Sequence, residues 1–246
     1  MLKFSPANSK IKKLYKIESL KKFLAKRKIY SFDLSAGHSC PFAKLCFSRA
    51  IQSGNKLSIL DGPDTEFRCY AASQEVIYPN VYRLRSDNFN ALKKLTYKQM
   101  VNLISSSIPK NAGVIRIHSS GDFFNKKYWA AWMKVIRNRP DILFYAYTKA
   151  LQYWVDTVIP TNLLLTASYG GKHDHLIKKY NLRYSKVIKY PEETTLEIDD
   201  DDSHAADPSK VNQNFALLVH GVQPKGTEYS KAVYLRLQGK NGKVVS

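Results

Sequence analysis

Along this chain the spacing of hydrophobic and polar positions changes several times, and each change marks an element. In IKKLYKIESLKKFLAKRK, Ile11, Leu14, Tyr15, Ile17, Leu20, Phe23 and Leu24 fall roughly at helical spacing with lysines between them, which predicts an amphipathic helix. KIYSFDLSAG then predicts a short strand, Ile29 to Leu34, running into a loop of small residues. From Asn90 the pattern becomes regular. ALKKLTYKQMVNLISSSI predicts a helix until Pro109 and Gly113 break it, and VIRIH, Val114 to His118, predicts a strand. Helix, strand and helix follow in YWAAWMKVIRN, ILFYAYT and LQYWVDTVI, and then a strand in NLLLTASYGG, a short helix in HDHLIKKYN and a strand in SKVIKY. FALLVHGV predicts one more strand, and KAVYLRLQGKNGKVVS a closing β hairpin turned at GKNG.

Strands that alternate with helices at this spacing must run parallel, joined by helical crossovers. The continuously apolar VIRI, ILFYAY and LLLTA suit strands covered on both faces. No strand is followed by G-x-G-x-x-G, so the expected fold is α/β, a partial or complete parallel (β/α) barrel rather than a flat doubly wound sheet. The expected organisation is a basic helical arm over residues 1–28 and a single barrel-like domain over 29–246, which carries a cysteine-bearing segment at 40–69. There is no internal repeat and no long linker.

Composition adds a partner class. Within 246 residues, 39 Lys and Arg against 20 Asp and Glu give a net charge of +19, a positive surface that attracts polyanions, and nucleic acid is the expected partner. Lys3, Lys10, Lys12, Lys13, Lys16, Lys21, Lys22, Lys26, Arg27 and Lys28 face only Glu18 in residues 1–28. That segment suits a solvated helix face, a phosphate-contacting arm or a membrane-surface helix. Nothing resembles a secretory signal or a membrane span, and three cysteines, an odd number, argue against a disulfide scaffold. A soluble protein of a reducing cytoplasm, with no membrane partner, is expected.

The cysteines carry the chemistry. Cys40, Cys46 and Cys69 lie close together in a long chain, which favours a shared task over three unrelated buried thiols. Zinc would need a fourth ligand such as His38, and the C-x2-C knuckle is absent. A redox disulfide is open, although C-x5-C is not the usual redox pair. Three thiolates also hold a 4Fe–4S cluster while leaving one iron free, and three cysteines just past a strand favour that reading.

Other polar residues stand at predicted strand ends, where parallel α/β folds place their chemistry. His118 is a candidate acid or base, or a hydrogen-bonded core residue. Ser120, Gly121 and Asp122 follow, the glycine permitting close approach of a ligand and the aspartate accepting from an ammonium or hydroxyl, or else capping the next helix. Thr148 and Lys149 close the next strand, and Ser168, Tyr169, Gly170 and Gly171 the one after, with Lys149 able to hold a phosphate or carboxylate. His220, with Gly221 and Gln223, ends a further strand. Trp129, Trp132 and Met133 suit a core at helical spacing, although aromatics beside lysines, as in KKYWAAWMK and KALQYW, also stack bases. Asp199 to Asp202 and His204 form either a solvated acidic loop or a divalent-cation site, which with Asp122 leaves a Mg2+-dependent nuclease open. There is no Walker loop, HExxH helix or GxSxG elbow.

FDLSAGHSCPFAKLCFSRA, DGPDTEFRCYAASQE, RIHSSGDFF with YWAAW, FYAYTK, LTASYGG, DDDDSHAADP and LLVHGVQPKG, in this order over about residues 30 to 230, resemble the bacteriophage gene product 88 family. The resemblance implies a phage-encoded protein in the bacterial host cytoplasm, with no activity assigned. A partial resemblance links the chain to radical S-adenosylmethionine enzymes, whose three-cysteine loop after the first barrel strand holds a 4Fe–4S cluster that chelates the cofactor. It implies cluster ligation by Cys40, Cys46 and Cys69, and cofactor contacts from Ser120, Gly121 and Asp122 where that superfamily has a G-G-E-type motif, with Ser168 and Gly170 at a neighbouring strand end. C-x5-C-x22-C departs from that superfamily's C-x3-C-x2-C, and Asp stands for Glu. An alternative keeps zinc or a cluster only as a staple in a non-catalytic nucleic-acid-binding protein.

Overall fold

The computed structural model describes residues 1–241. Its centre is a seven-stranded sheet made of β1 (Phe4–Pro6), β2 (Lys28–Phe32), β5 (Ala112–Ile117), β6 (Leu143–Thr148), β7 (Leu163–Ser168), β8 (Tyr184–Ile188) and β9 (Phe215–Leu218), side by side in that order. From β2 to β9 every pairing is parallel, and only β1 runs antiparallel to its neighbour. A two-stranded hairpin, β3 (Ser48–Ser53) and β4 (Lys56–Asp61), stands apart from this sheet. The strands follow chain order, as successive strands of a barrel do, but among the described residues no pairing joins β1 to β9, and the sheet is open. The fold is mixed α/β with a mostly parallel central sheet.

Alternate residues of each central strand serve different cores. Ile115, Ile117, Phe144, Ala146, Leu163 and Leu165 pack with α4 (Tyr97–Ser107) and α5 (Lys126–Arg137), while Val114, Leu143, Tyr145 and Leu164 pack on the other face. This two-sided burial is why the strands are apolar throughout. Helix α5 turns Trp129, Trp132 and Met133 into the first core, as their spacing predicts, and Asn125, not Asp122, caps it by accepting from the Tyr128 N–H at 2.8 Å.

The second face is covered by the N-terminal segment, and here the structure departs from the sequence expectation. In place of one amphipathic helix there are two 3-10 turns, Ile11–Lys16 and Glu18–Leu20, and a single α-turn, α1 (Lys21–Leu24). Ile11, Leu14, Leu20 and Leu24 are buried against the sheet together with Ala205 and Ala206 of α8 (Ser203–Ala206). Contacts with the sheet, rather than helical propensity, set the local conformation.

Two further differences concern helices. The one expected from Asn90 is two, because α3 (Pro79–Leu92) ends and Thr96 begins α4 with a capping box, its hydroxyl accepting from the Gln99 N–H at 3.4 Å while Gln99 Oε1 accepts from the Thr96 N–H at 2.9 Å. The expected closing hairpin is instead α9 (Glu228–Asn241), and its second strand, 242–246, lies outside the described residues. Tyr229, Ala232 and Val233, at i, i+3 and i+4, pack on Phe67, Val219 and Leu45, a spacing only a helix satisfies. The short helices α6 (Leu151–Val155) and α7 (His175–Lys179) and α2 (Tyr70–Ile77) complete the chain.

Candidate functional site

Parallel pairing brings the C-terminal ends of the strands to one edge. Phe32 lies opposite Ile117, Thr148 opposite Ala167, Ser168 opposite Ser185 and Ile188 opposite Leu218, so the loops beginning at 33, 118, 149, 169, 189 and 219 leave the sheet on the same side. All three cysteines lie in segments attached to this edge.

Cys40 and Cys46 belong to the loop after β2, and Cys69 sits at the N-cap of α2. The intervening residues are folded out as the β3–β4 hairpin. Leu45 O accepts from Glu66 N at 2.8 Å, Gly62 N donates to Phe47 O at 2.7 Å and Cys69 N to Ser48 Oγ at 3.3 Å, so the chain returns beside the point it left. The Cys40 thiol is held well above its ordinary range, first by burial, then by the Asp122 carboxylate and the Cys69 and Cys46 thiols. Cys69 is pushed up to about 11, first by burial and then by Cys46, against the opposing pull of the Ala71 and Ala72 N–H groups and the Lys149 ammonium. The three thiols are therefore electrical neighbours of each other, of Asp122 and of Lys149. None is in a disulfide. Among the described residues no three His, Cys, Asp or Glu side chains converge as the ligands of one metal ion, and His38 is exposed, its Nε2 lying 2.9 Å from the Ala50 carbonyl oxygen.

The loop after β5 is clamped to the loop after β2. Asp33 Oδ1 accepts from Ser119 N at 2.8 Å, Ser120 N at 3.2 Å and the Ser119 hydroxyl, while Ser120 Oγ donates to Leu34 O at 2.8 Å. Gly121 has φ +89, and a Cβ there would lie 2.5 Å from Ser39 Oγ. Its lack of a side chain lets two loops touch. Asp122 is buried, with Oδ1 accepting from Thr148 Oγ1 and Phe123 N, each at 2.7 Å, and Oδ2 from Lys149 N at 2.8 Å. It ties the end of β5 to the end of β6. Burial nevertheless leaves its pKa raised.

His118 is buried among aromatic rings. Its ring packs on Phe32, Phe123 and Tyr128, its Nε2 lies 2.9 Å from Tyr128 Oη, and burial lowers its pKa to about 3. This is the hydrogen-bonded core alternative, and its φ of +65 bends the backbone into the SSGD loop. Lys149 is 9% exposed and donates from Nζ to Ser168 Oγ at 2.6 Å, which spans the ends of β6 and β7 beside Cys69. Gly170, at φ +92, offers its carbonyl to Lys44 N and Leu45 N, each at 3.0 Å, so it docks the cysteine loop on β7. His220 packs its ring 4.5 Å from that of Tyr70, and Gln223 brackets Arg68, accepting from its N at 2.8 Å and donating to its O at 3.0 Å.

The aspartate run lies elsewhere and has other partners. Asp202 is fully buried, with Oδ2 2.7 Å from Arg116 Nη1 and 3.0 Å from Tyr145 Oη, and Oδ1 3.0 Å from Lys10 Nζ. Asp199 accepts from the N–H groups of Asp201, His204 and Ala205, and Asp200 and Asp201 pair with Lys13. His204 is buried with its Nε2 2.5 Å from Glu197. The run clamps the N-terminal segment, and its carboxylates and that of Asp122 are each already engaged.

One residue of the edge is absent from the sequence reading. Glu75 of α2 is wholly buried, accepting through Oε1 from Ala36 N at 2.9 Å and lying 3.4 Å from Ser120 Oγ and from Arg85 Nη1, while Oε2 has no partner. Burial pushes its pKa up to about 7. The signal was a carboxylate sharing a helical face with Ala71 and Ala72 just past Cys69.

Fold and edge together define an α/β protein whose strand-end loops gather three cysteines at one side of a parallel sheet. The chain belongs to the Gene product 88 family, whose profile matches residues 2–240. It is 34% identical over 90 residues to the Gene 88 protein of Mycobacterium phage L5, and 33% identical over 90 residues to that of Mycobacterium phage D29. Each alignment covers 33% of this chain and 38% of the relative, so the chain matches well under half the length of these curated proteins. Both are bacteriophage proteins, in keeping with the resemblance of the motifs. No solved structure matches the chain, and no described helix is long and apolar enough to cross a membrane.

Proposed function

We propose that the protein is an iron–sulfur enzyme in which Cys40, Cys46 and Cys69 hold a 4Fe–4S cluster at the strand-end edge, one iron remaining without a protein thiolate, and that it acts on nucleic acid or nucleotides in the host cytoplasm. The observation that carries this reading is the return of the chain through the β3–β4 hairpin, which sets Cys69, its N donating to Ser48 Oγ, beside the segment that holds Cys40 and Cys46, close enough for Asp122 and Lys149 to act on the thiols. Neighbouring thiols resist ionisation, and a cationic metal group relieves their repulsion. A four-iron cubane takes three thiolates at separate corners and leaves one iron open, whereas zinc asks for a fourth ligand, and His38 places its Nε2 2.9 Å from the Ala50 carbonyl oxygen.

The chain's own groups prepare the ligands. The Ala71 and Ala72 N–H groups at the start of α2, and Lys149 held by Ser168, all favour the Cys69 thiolate. Asp122 and Gly121 fix the neighbouring loop at its distance from Cys40, while His118 acts as packing that shapes that loop. When bound, the cluster supplies an open iron for Lewis-acid coordination or electron transfer. S-adenosylmethionine is the cofactor that the radical-enzyme likeness assigns to such an iron, and the open sheet in chain order suits a partial barrel of that kind. Ser120 and Asp122 would serve it as frame more than as direct contacts, because their polar atoms are engaged within the protein.

Anaerobic reconstitution with iron and sulfide is expected to give a brown protein with about four irons per chain. Cys40→Ala, Cys46→Ala and Cys69→Ala are each expected to lose that colour. A colourless chain carrying one zinc, or iron retained in full by Cys40→Ala, would overturn the proposal.

A further inference from the structure

Beside the cysteine loop lies a cluster of rings and lysines that the cluster reading does not use. Phe42, two residues past Cys40, has its ring centroid 5.5 Å from that of Tyr153 and 5.5 Å from that of His173, and His173 lies 6.1 Å from His175. The rings of Phe42, Tyr153 and His173 are half-buried, so each is anchored at its base and offers part of its surface to solvent. The backbone beneath them is fixed: Lys172 N donates to Phe42 O at 2.9 Å, and Ala43 bridges to Gly171. Lys44 and Lys172 flank the rings, both exposed and neither in an ion pair among the described residues. The carboxylate of Asp174, next to His173 in the chain, accepts from the N–H groups of Gly170 and Gly171 at 2.8 and 2.9 Å.

We propose that this rim binds single-stranded nucleic acid, with a base stacked on Phe42, which Tyr153 buttresses edge-on at 83° and His173 at a tilt of 52°, and its phosphates held by Lys44 and Lys172. Half-exposed aromatics pinned by backbone bonds make a stacking platform of low entropic cost, and flanking unpaired lysines complete the usual pattern of single-strand sites. A duplex is a poorer fit, because its base faces are already stacked and rings set among loops do not reach them. A net charge of +19 draws the strand in. The inference rests on the strand-end edge being the working edge of the proposed enzyme, since it seats a base beside Cys40.

The test is fluorescence anisotropy of a labelled oligothymidine of about 20 nucleotides, long enough to span one such site, run on the full chain with and without reconstituted cluster. Phe42→Ala is expected to weaken binding at least about 5-fold, the low end for one stacked base, while Phe42→Trp keeps the platform and retains binding. Lys44→Ala combined with Lys172→Ala is expected to make the slope of log affinity against log salt shallower by about 1.4, roughly 0.7 for each single-strand phosphate that is no longer neutralised. Equal affinity of Phe42→Ala and the native chain, an unchanged slope in the lysine pair, or a duplex of the same length binding as tightly as the single strand would each overturn the rim. Iron content and colour report the cluster separately, so failure of one reading is told from failure of the other.

Discussion

At Gly121 an added Cβ would stand 2.5 Å from Ser39 Oγ and 2.7 Å from Leu34 Cβ, in a backbone region that L side chains avoid. Gly121→Ala is expected to destabilise the fold by about 2 kcal/mol or more. Gly239, on α9 with open space around it, serves as the contrast, and its change to alanine is expected to stabilise by about 1 kcal/mol or less. Urea midpoints of the two variants check both. The SSGDFF stretch was legible as special from its glycine and aspartate at a strand end. The partners were not, because Gly121 yields to Ser39 and Leu34 of the cysteine-bearing loop, and Asp122 answers to Thr148 and Lys149 of the next strand. Likewise His118 carried the right chemistry for proton transfer, and only the rings of Phe32, Phe123 and Tyr128 around it make it a core residue.

At the scale of elements, the central strands and helices α5, α6 and α7 were readable because each has one periodicity and a clear stop. Helices α2 and α3 were not, since they bury Glu75, Arg85 and Asn88 on their inner faces, and this blurs the apolar stripe. Glu75 joins α2 to both cysteine-side loops, and its protonation has a sign. With its pKa raised to about 7 from the usual 4.5, the folded chain holds a proton that the unfolded chain has released, so this group lowers stability as pH rises from about 4.5 to about 7. His118, lowered to about 3, works in the opposite direction over an overlapping range, so the measurement is a difference. The stability of Glu75→Gln relative to the native chain is expected to rise across that interval by up to about 3 kcal/mol. Denaturant curves at pH 4.5 and 7.5 decide it, and a constant difference would refute the assignment.

Over the whole molecule, the basic start and the acidic run looked like two solvated charge segments, yet Lys10 and Lys13 meet Asp200, Asp201 and Asp202 across nearly the full chain. No local pattern carries a contact of that range. Its buried centre is Asp202 with Arg116, and Asp202→Ala is expected to cost about 3–5 kcal/mol by stranding the guanidinium, whereas Arg116→Met with Asp202→Asn, whose side chain tolerates the left-handed backbone at φ +65, recovers part of that stability. Thermal unfolding of the single and double variants reads this directly. A different kind of freedom follows from the β3–β4 hairpin between the second and third cysteines. Its strands pair in register from Ser48 with Asp61 to Ser53 with Lys56, around a turn at Gly54 and Asn55. Residue pairs added at that tip would lengthen the ribbon outward and leave both thiols where they are. The number of residues separating these two cysteines is thus a loosely constrained length, and a search pattern built on fixed cysteine intervals would pass over chains that hold the same three thiols in the same place.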